Sequence, residues 1–147
     1  MPFGNITGLG AIARNSSDDV IMSGIDFISG LLDPAIAEAK AIFFGLSLAV
    51  DRGLLDLVIE SDCAQVIKLL NDNTVVRSDI GLVLNDIREI LRLSSPRFSF
   101  VHIRRSGNLV AHSLAKLAVS KVDCCVWVND FPPCVGSLIE VDSNFSL

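Results

Sequence analysis

The sequence predicts an α/β fold in which a mixed β-sheet is flanked by α-helices. Three observations predict it. The first 30 or so residues read as two strands joined by a polar turn, Asp33–Pro34 opens a long helical periodicity, and strand-like and helix-like runs then alternate as far as Lys121. At 147 residues the chain is about one domain, long enough to bury a core without staples.

Each element has its own local signal. TGLGAIARN, residues 7–15, reads as a strand, SSDD as a turn and DVIMSGIDFIS as the returning strand of a hairpin. The glycines of GNITGLG have no strand before them and no helix after, so they are expected at a strand edge or a close packing contact and not in a dinucleotide loop. Asp33 followed by Pro34 is a helix start: the carboxylate accepts from free backbone N–H groups, and proline already holds a helical φ. Ala35, Ile36, Ala39, Ile42, Phe43, Leu46, Ala49 and Val50 then recur at helical spacing up to Gly53. LLDLVIE is the next strand and DCAQVIKLLND the next helix, closed by the polar cluster NDNT. Ile80, Val83, Leu84, Ile87 and Leu91 mark a third helix, and SSPRFSFVHI a strand with Pro96 at its start. In NLVAHSLAKLAVSK a stripe of Val110, Ala111, Leu114, Leu117 and Ala118 should pack on the sheet. The two late strands, separated by helices, are expected to run parallel. The domain is expected to span 1–122, with 123–147 as an irregular tail in which Pro132–Pro133 forbids helix and Trp127, Phe131 and Leu138 fold back on the body.

Composition narrows the function classes. Half the residues are hydrophobic and 20% are charged, which is a globular balance. AIFFGLSLAV, residues 41–50, is bounded by Lys40, Asp51 and Arg52 at half the roughly 20 residues a membrane span needs, so no membrane partner is expected. MPFGNITGLGA has neither the basic flank nor the apolar core of a signal peptide; the expectation is an intracellular protein, not a secreted one, with its four cysteines free. Cys63, Cys124, Cys125 and Cys134 lack zinc-site spacing, and Cys63 reads as a small buried residue. The net charge of −5 is unevenly spread: from Arg77 to Lys121 eight basic residues face three acids, and the rest of the chain is correspondingly acidic. That asymmetry suits a phosphate-tracking surface beside an acidic site, and it also suits an ordinary solvated helix face.

Three polar groups stand where chemistry is possible. Glu38 lies one turn into the first helix at the border of its apolar stripe, Asp62 follows a strand, and His112 edges the packed face of the last helix. Each has a bland reading: Glu38 complements the helix dipole, Ser61 or Asp62 caps the helix after the strand, and His112 is a core-edge histidine. Together, two carboxylates and a third ligand on rigid elements can converge on a divalent ion.

AEAKAIFFGLSLAVDRGLLDLVIESDCAQVIKLLN and FSFVHIRRSGNLVAHSLAKLA resemble the ribonuclease H type 1 superfamily, in its divergent plant, retrotransposon-derived branch associated with reverse transcriptases. GLGAIARNSSDDVI resembles the family's second strand and turn, and VWVNDFPPCVGSLIEVD the tail of that branch. The Ser–Asp after an apolar strand together with RxxNxxAHxLA is specific; AEA alone is weak. The resemblance implies a ribonuclease H-like fold that binds nucleic acid, RNA–DNA hybrid or RNA, and hydrolyses the RNA strand with Mg²⁺ or Mn²⁺. Family acids hold two ions there, so the resemblance carries catalytic and metal-binding roles to Glu38 and Asp62 and a catalytic position to His112. Asn108 matches the asparagine that opens the last helix. Arg104 and Arg105, just ahead of that helix, read as phosphate contacts or as a solvated turn.

The sequence also departs from the family. Only six residues precede Thr7 and none is acidic, so the family's first aspartate and its central first strand are expected to be missing, as in an amino-terminally truncated chain. His112 stands where the family has its fourth acid, and the family's histidine loop is short here. Two absent charges predict impaired cleavage, and the alternative is an inactive ribonuclease H-like module that binds nucleic acid or protein.

Overall fold

The computed structural model describes residues 5–54, 56–72, 76–94 and 97–139. Pro96, expected at a strand start, and residues 73–74 of the expected polar cluster lie outside the described residues. The chain divides into two compact units, one from residues up to Leu32 and from Arg105 onward, the other from Asp33–Arg104.

The first unit is built on the hairpin. Strands β1 (Ile6–Arg14) and β2 (Val20–Ser29) pair antiparallel with Gly10 opposite Ile25, and a bulge falls at Ala13/Arg14. The segment expected to be irregular supplies a further strand, β5 (Cys125–Val128), which pairs antiparallel with the other edge of β2 and places Trp127 opposite Ser23. Buried Ser23 anchors the chain just beyond β5, its hydroxyl donating to the Asp130 carbonyl at 2.9 Å. Helix α4 (Leu109–Lys121) lies on this sheet. Its Val110, Leu114 and Ala118 are buried with Ile25, Val135 and Ile139, and Trp127, Phe131 and Leu138 pack against that cluster as the sequence predicts. Close approach explains the glycines: a Cβ at Gly8 would overlap the Ala115 carbonyl, and one at Gly10 would stand 2.6 Å from the Ala115 nitrogen.

The second unit begins with α1 (Pro34–Asp51), whose first turn is capped as expected, the Ala35 N–H donating to Asp33 Oδ1 at 3.0 Å. Gly53, at φ +73°, ends it in a conformation that glycine adopts without strain. Strands β3 (Asp56–Ser61) and β4 (Arg97–His102) are parallel, with Ile59 opposite Phe100 and Ser61 opposite His102. Helices α2 (Ala64–Asn71) and α3 (Asp79–Ser94) complete the unit. Its core joins Ala39, Ile42 and Leu46 of α1, Val66, Ile67 and Leu70 of α2, Val83, Leu84, Ile87 and Leu91 of α3 and Phe100 of β4. Side chains tie the layers: Asn71 donates to the Phe100 carbonyl at 3.2 Å, and Arg88 to the Leu69 carbonyl at 2.9 Å. The N-cap of α2 is Cys63 where Ser61 or Asp62 was expected, and the Ser61 Oγ accepts from the Cys63 N–H at 3.1 Å.

Gly10→Ala should lower stability by about 1–3 kcal/mol, since the added methyl must displace helix backbone and not a flexible side chain. Asp33→Ala should cost about 1 kcal/mol through the lost cap. Urea unfolding followed by circular dichroism reads both, and a Gly10→Ala chain as stable as wild type would refute the close-packing account.

Candidate functional site

The second unit brings the two sequence-predicted carboxylates together. Ala39 and Ile42 turn one stripe of α1 into the core, which leaves Glu38 half-buried beside it. Asp62 is the first residue beyond β3, at the C-terminal end of a strand in a parallel pair, where open α/β sheets gather ligand-binding groups. A carboxylate oxygen of Glu38 and one of Asp62 lie within 4.8 Å of each other.

Ser61, the last residue of β3, reads from sequence only as a possible cap. It is 2% exposed, and its hydroxyl donates to Glu38 Oε2 at 3.5 Å while accepting from Cys63. The Ser–Asp pair is legible in the sequence; which acid the serine faces is not, because that depends on how α1 lies against β3. The parallel register adds a further neighbour. The Ile103 N–H donates to the Ser61 carbonyl at 2.9 Å, so the chain leaving β4 emerges at the same end as Asp62, and exposed Arg104 comes next.

The remaining predicted residues belong to the first unit. Exposed Arg105 starts a short 3-10 turn (Arg105–Gly107), and Asn108 is the N-cap of α4 as expected, its N–H donating to the Arg105 carbonyl at 2.9 Å. The Asn108 side chain makes no capping bond, while the Asn108 backbone carbonyl accepts from the His112 backbone N–H at 3.2 Å. His112 is half-buried on α4. Elsewhere in the basic segment three cations are spent on structure. Arg88 holds Leu69, Arg92 bonds Glu89 in an exposed pair that keeps the Glu89 carboxyl below its usual range, and Arg97 reaches Asp56 on the neighbouring strand at 3.0 Å. Arg77, Arg104, Arg105, Lys116 and Lys121 remain as exposed cations.

Two ligand oxygens on one ion at about 2.1 Å stand roughly 3–4 Å apart, so the Glu38 and Asp62 carboxylates need only small rotations to share one. An all-oxygen pair is the donor set of a hard divalent cation. Two carboxylates supply the charge to balance one such ion, not two.

An antiparallel hairpin, a parallel strand pair with helices between and after its strands, and carboxylates from the first helix and the next strand end define a ribonuclease H-like domain. The chain belongs to the reverse transcriptase-like family, which matches residues 4–118. No curated protein matches it. Among solved structures it is similar to ribonuclease H1 of the halophilic archaeon Halobacterium salinarum, at 21% identity and a TM-score of 0.57 over 80% of this chain and 99% of that one. It is also similar to an amino-terminal ribonuclease H domain from Mycobacterium tuberculosis, at 18% identity and a TM-score of 0.65 over 76% and 94%. A ribonuclease H1 isolated from compost by a metagenomic approach gives 18% identity and a TM-score of 0.54 over 81% and 98%. These likenesses bear out the mixed, helix-flanked fold. No described helix is long and apolar enough to cross a membrane.

If one ion bridges the two carboxylates, their contributions are coupled. Glu38→Gln and Asp62→Asn should each weaken Mn²⁺ binding at least tenfold, and the double variant should lose far less than the sum of the two. Calorimetric titration of the four chains reads this; strictly additive losses would mean separate sites.

Proposed function

We propose that this ribonuclease H-like domain binds nucleic acid and cleaves the RNA strand of RNA–DNA hybrids slowly, using one divalent cation, Mg²⁺ or Mn²⁺, on Glu38 and Asp62. The approach of those two carboxylates within one unit carries the reading. The named ribonuclease H structures support the substrate class. A bound cation would supply Lewis-acid activation of water and offset charge at the leaving oxygen. Glu38 and Asp62 would hold and orient it, and Arg104 and Arg105 would bear on backbone phosphates. On the sequence resemblance we assign Asn108 to strand contact and His112 to the family's fourth acidic position. An imidazole there adds no negative charge, which is why turnover is expected to be low. The same resemblance supports an origin in a plant retroelement.

A second reading, a module that binds nucleic acid without cutting it, is favoured by His112 standing at the family's fourth acidic position. Incubating the purified chain with a labelled hybrid and Mn²⁺ separates the two. Slow cleavage lost in Glu38→Gln and in Asp62→Asn supports the enzyme; salt-sensitive binding with wild-type products absent after long incubation supports the module. In either case, replacing both Arg104 and Arg105 by Ala should reduce the slope of log affinity against log salt by about 2, because each phosphate contact releases about one counterion. An unchanged slope would remove both arginines from the interface.

A further inference from the structure

The proposed cleavage uses Ser61 only as the residue before Asp62, yet the surroundings of this serine are specific. At 2% exposure it is one of two buried polar side chains in the described residues. A hydroxyl has one proton to donate and lone pairs to accept with. The Cys63 N–H donates into the Ser61 oxygen at 3.1 Å, which leaves the hydroxyl proton to donate to Glu38 Oε2 at 3.5 Å. Its backbone is fixed, since Ser61 closes β3 opposite His102 and its carbonyl accepts from Ile103. The donor is therefore mounted on the sheet, and the carboxylate it addresses is carried by a helix.

We propose that Ser61 is a positioning residue: its hydroxyl holds the Glu38 carboxylate in the rotamer that approaches Asp62. This rests on the proposed cation site. The physical case is one of entropy and geometry. A glutamate on the rim of a helix has three side-chain torsions to fix before it can ligate an ion, and a hydrogen bond to one oxygen fixes them in advance. Asp62, one bond from the strand end, has fewer to lose. Loss of the donor should therefore fall on the glutamate's share of binding.

Mn²⁺ titration of the full chain by calorimetry, with thermal unfolding in the absence of metal, tests the assignment. Ser61→Ala should bind Mn²⁺ about tenfold more weakly. Ser61→Thr, which keeps the hydroxyl, should bind as wild type, a rescue that a purely space-filling role would not produce. Wild-type affinity in Ser61→Ala overturns the assignment, and so does a Ser61→Thr chain as weak as Ser61→Ala. Should Ser61→Ala not fold, Ser61→Cys, nearly isosteric with a poorer donor, carries the test, and wild-type affinity there overturns it equally. If Glu38→Gln loses Mn²⁺ while Ser61→Ala does not, the cation site stands and only the role of Ser61 falls. A wild-type chain that binds no Mn²⁺ overturns both.

Discussion

The approach of two like charges, Glu38 and Asp62, is the constraint around which the second unit is arranged. Like charges repel, so nothing intrinsic to two carboxylates within 4.8 Å brings them together. What does so is the core behind them. Ala39, Ile42 and Leu46 are buried against Val66, Ile67 and Leu70, and burying each large aliphatic side chain contributes roughly 1.5–3 kcal/mol. Several such contacts outweigh the repulsion, and α1 is held where its next residue toward solvent, Glu38, meets the end of β3.

Much of this is legible in the chain, and for identifiable reasons. The hairpin is set by two β-rich runs around SSDD, and the start of α1 by Asp33–Pro34, because cap and turn chemistry are local. The parallel pairing of β3 and β4 is implied by the helices between them. The misses are non-local. Cys125–Val128 is only four residues long, with a cysteine before it and two prolines soon after, so composition speaks for irregular chain. Its alternation, with Cys125 and Trp127 turned in and Val126 and Val128 out, acquires meaning only because β2 offers an open edge. Likewise the N-cap of α2 is Cys63, while Ser61, one of the two caps the sequence offers, accepts from the Cys63 N–H.

The site residues divide along the same line. Glu38 and Asp62 can be paired from sequence because each sits at a predictable place on its own element: one turn into a capped helix, and just past a strand. The part played by Ser61 cannot, since a serine before a helix has a sufficient local explanation. A buried hydroxyl that serves a backbone donor on one side and a carboxylate on the other is visible only once α1 and β3 are seen side by side.

The parallel strand pair also decides how a polyanion could meet an acidic site. A carboxylate pair alone repels phosphate, so a strand of nucleic acid must gain elsewhere what it loses there. In an antiparallel pair with a tight turn, the residue after β4 would leave from the end opposite Asp62. Because β3 and β4 run the same way, with Ile103 bonded to Ser61, the first cation after β4 emerges at the acidic end. Arg97, at the opposite end of β4, is occupied by Asp56, whereas Arg104 is exposed. The direction of one strand thus separates two arginines of the basic segment: the one remote from Asp62 pairs with Asp56, and the one at the acidic end is exposed.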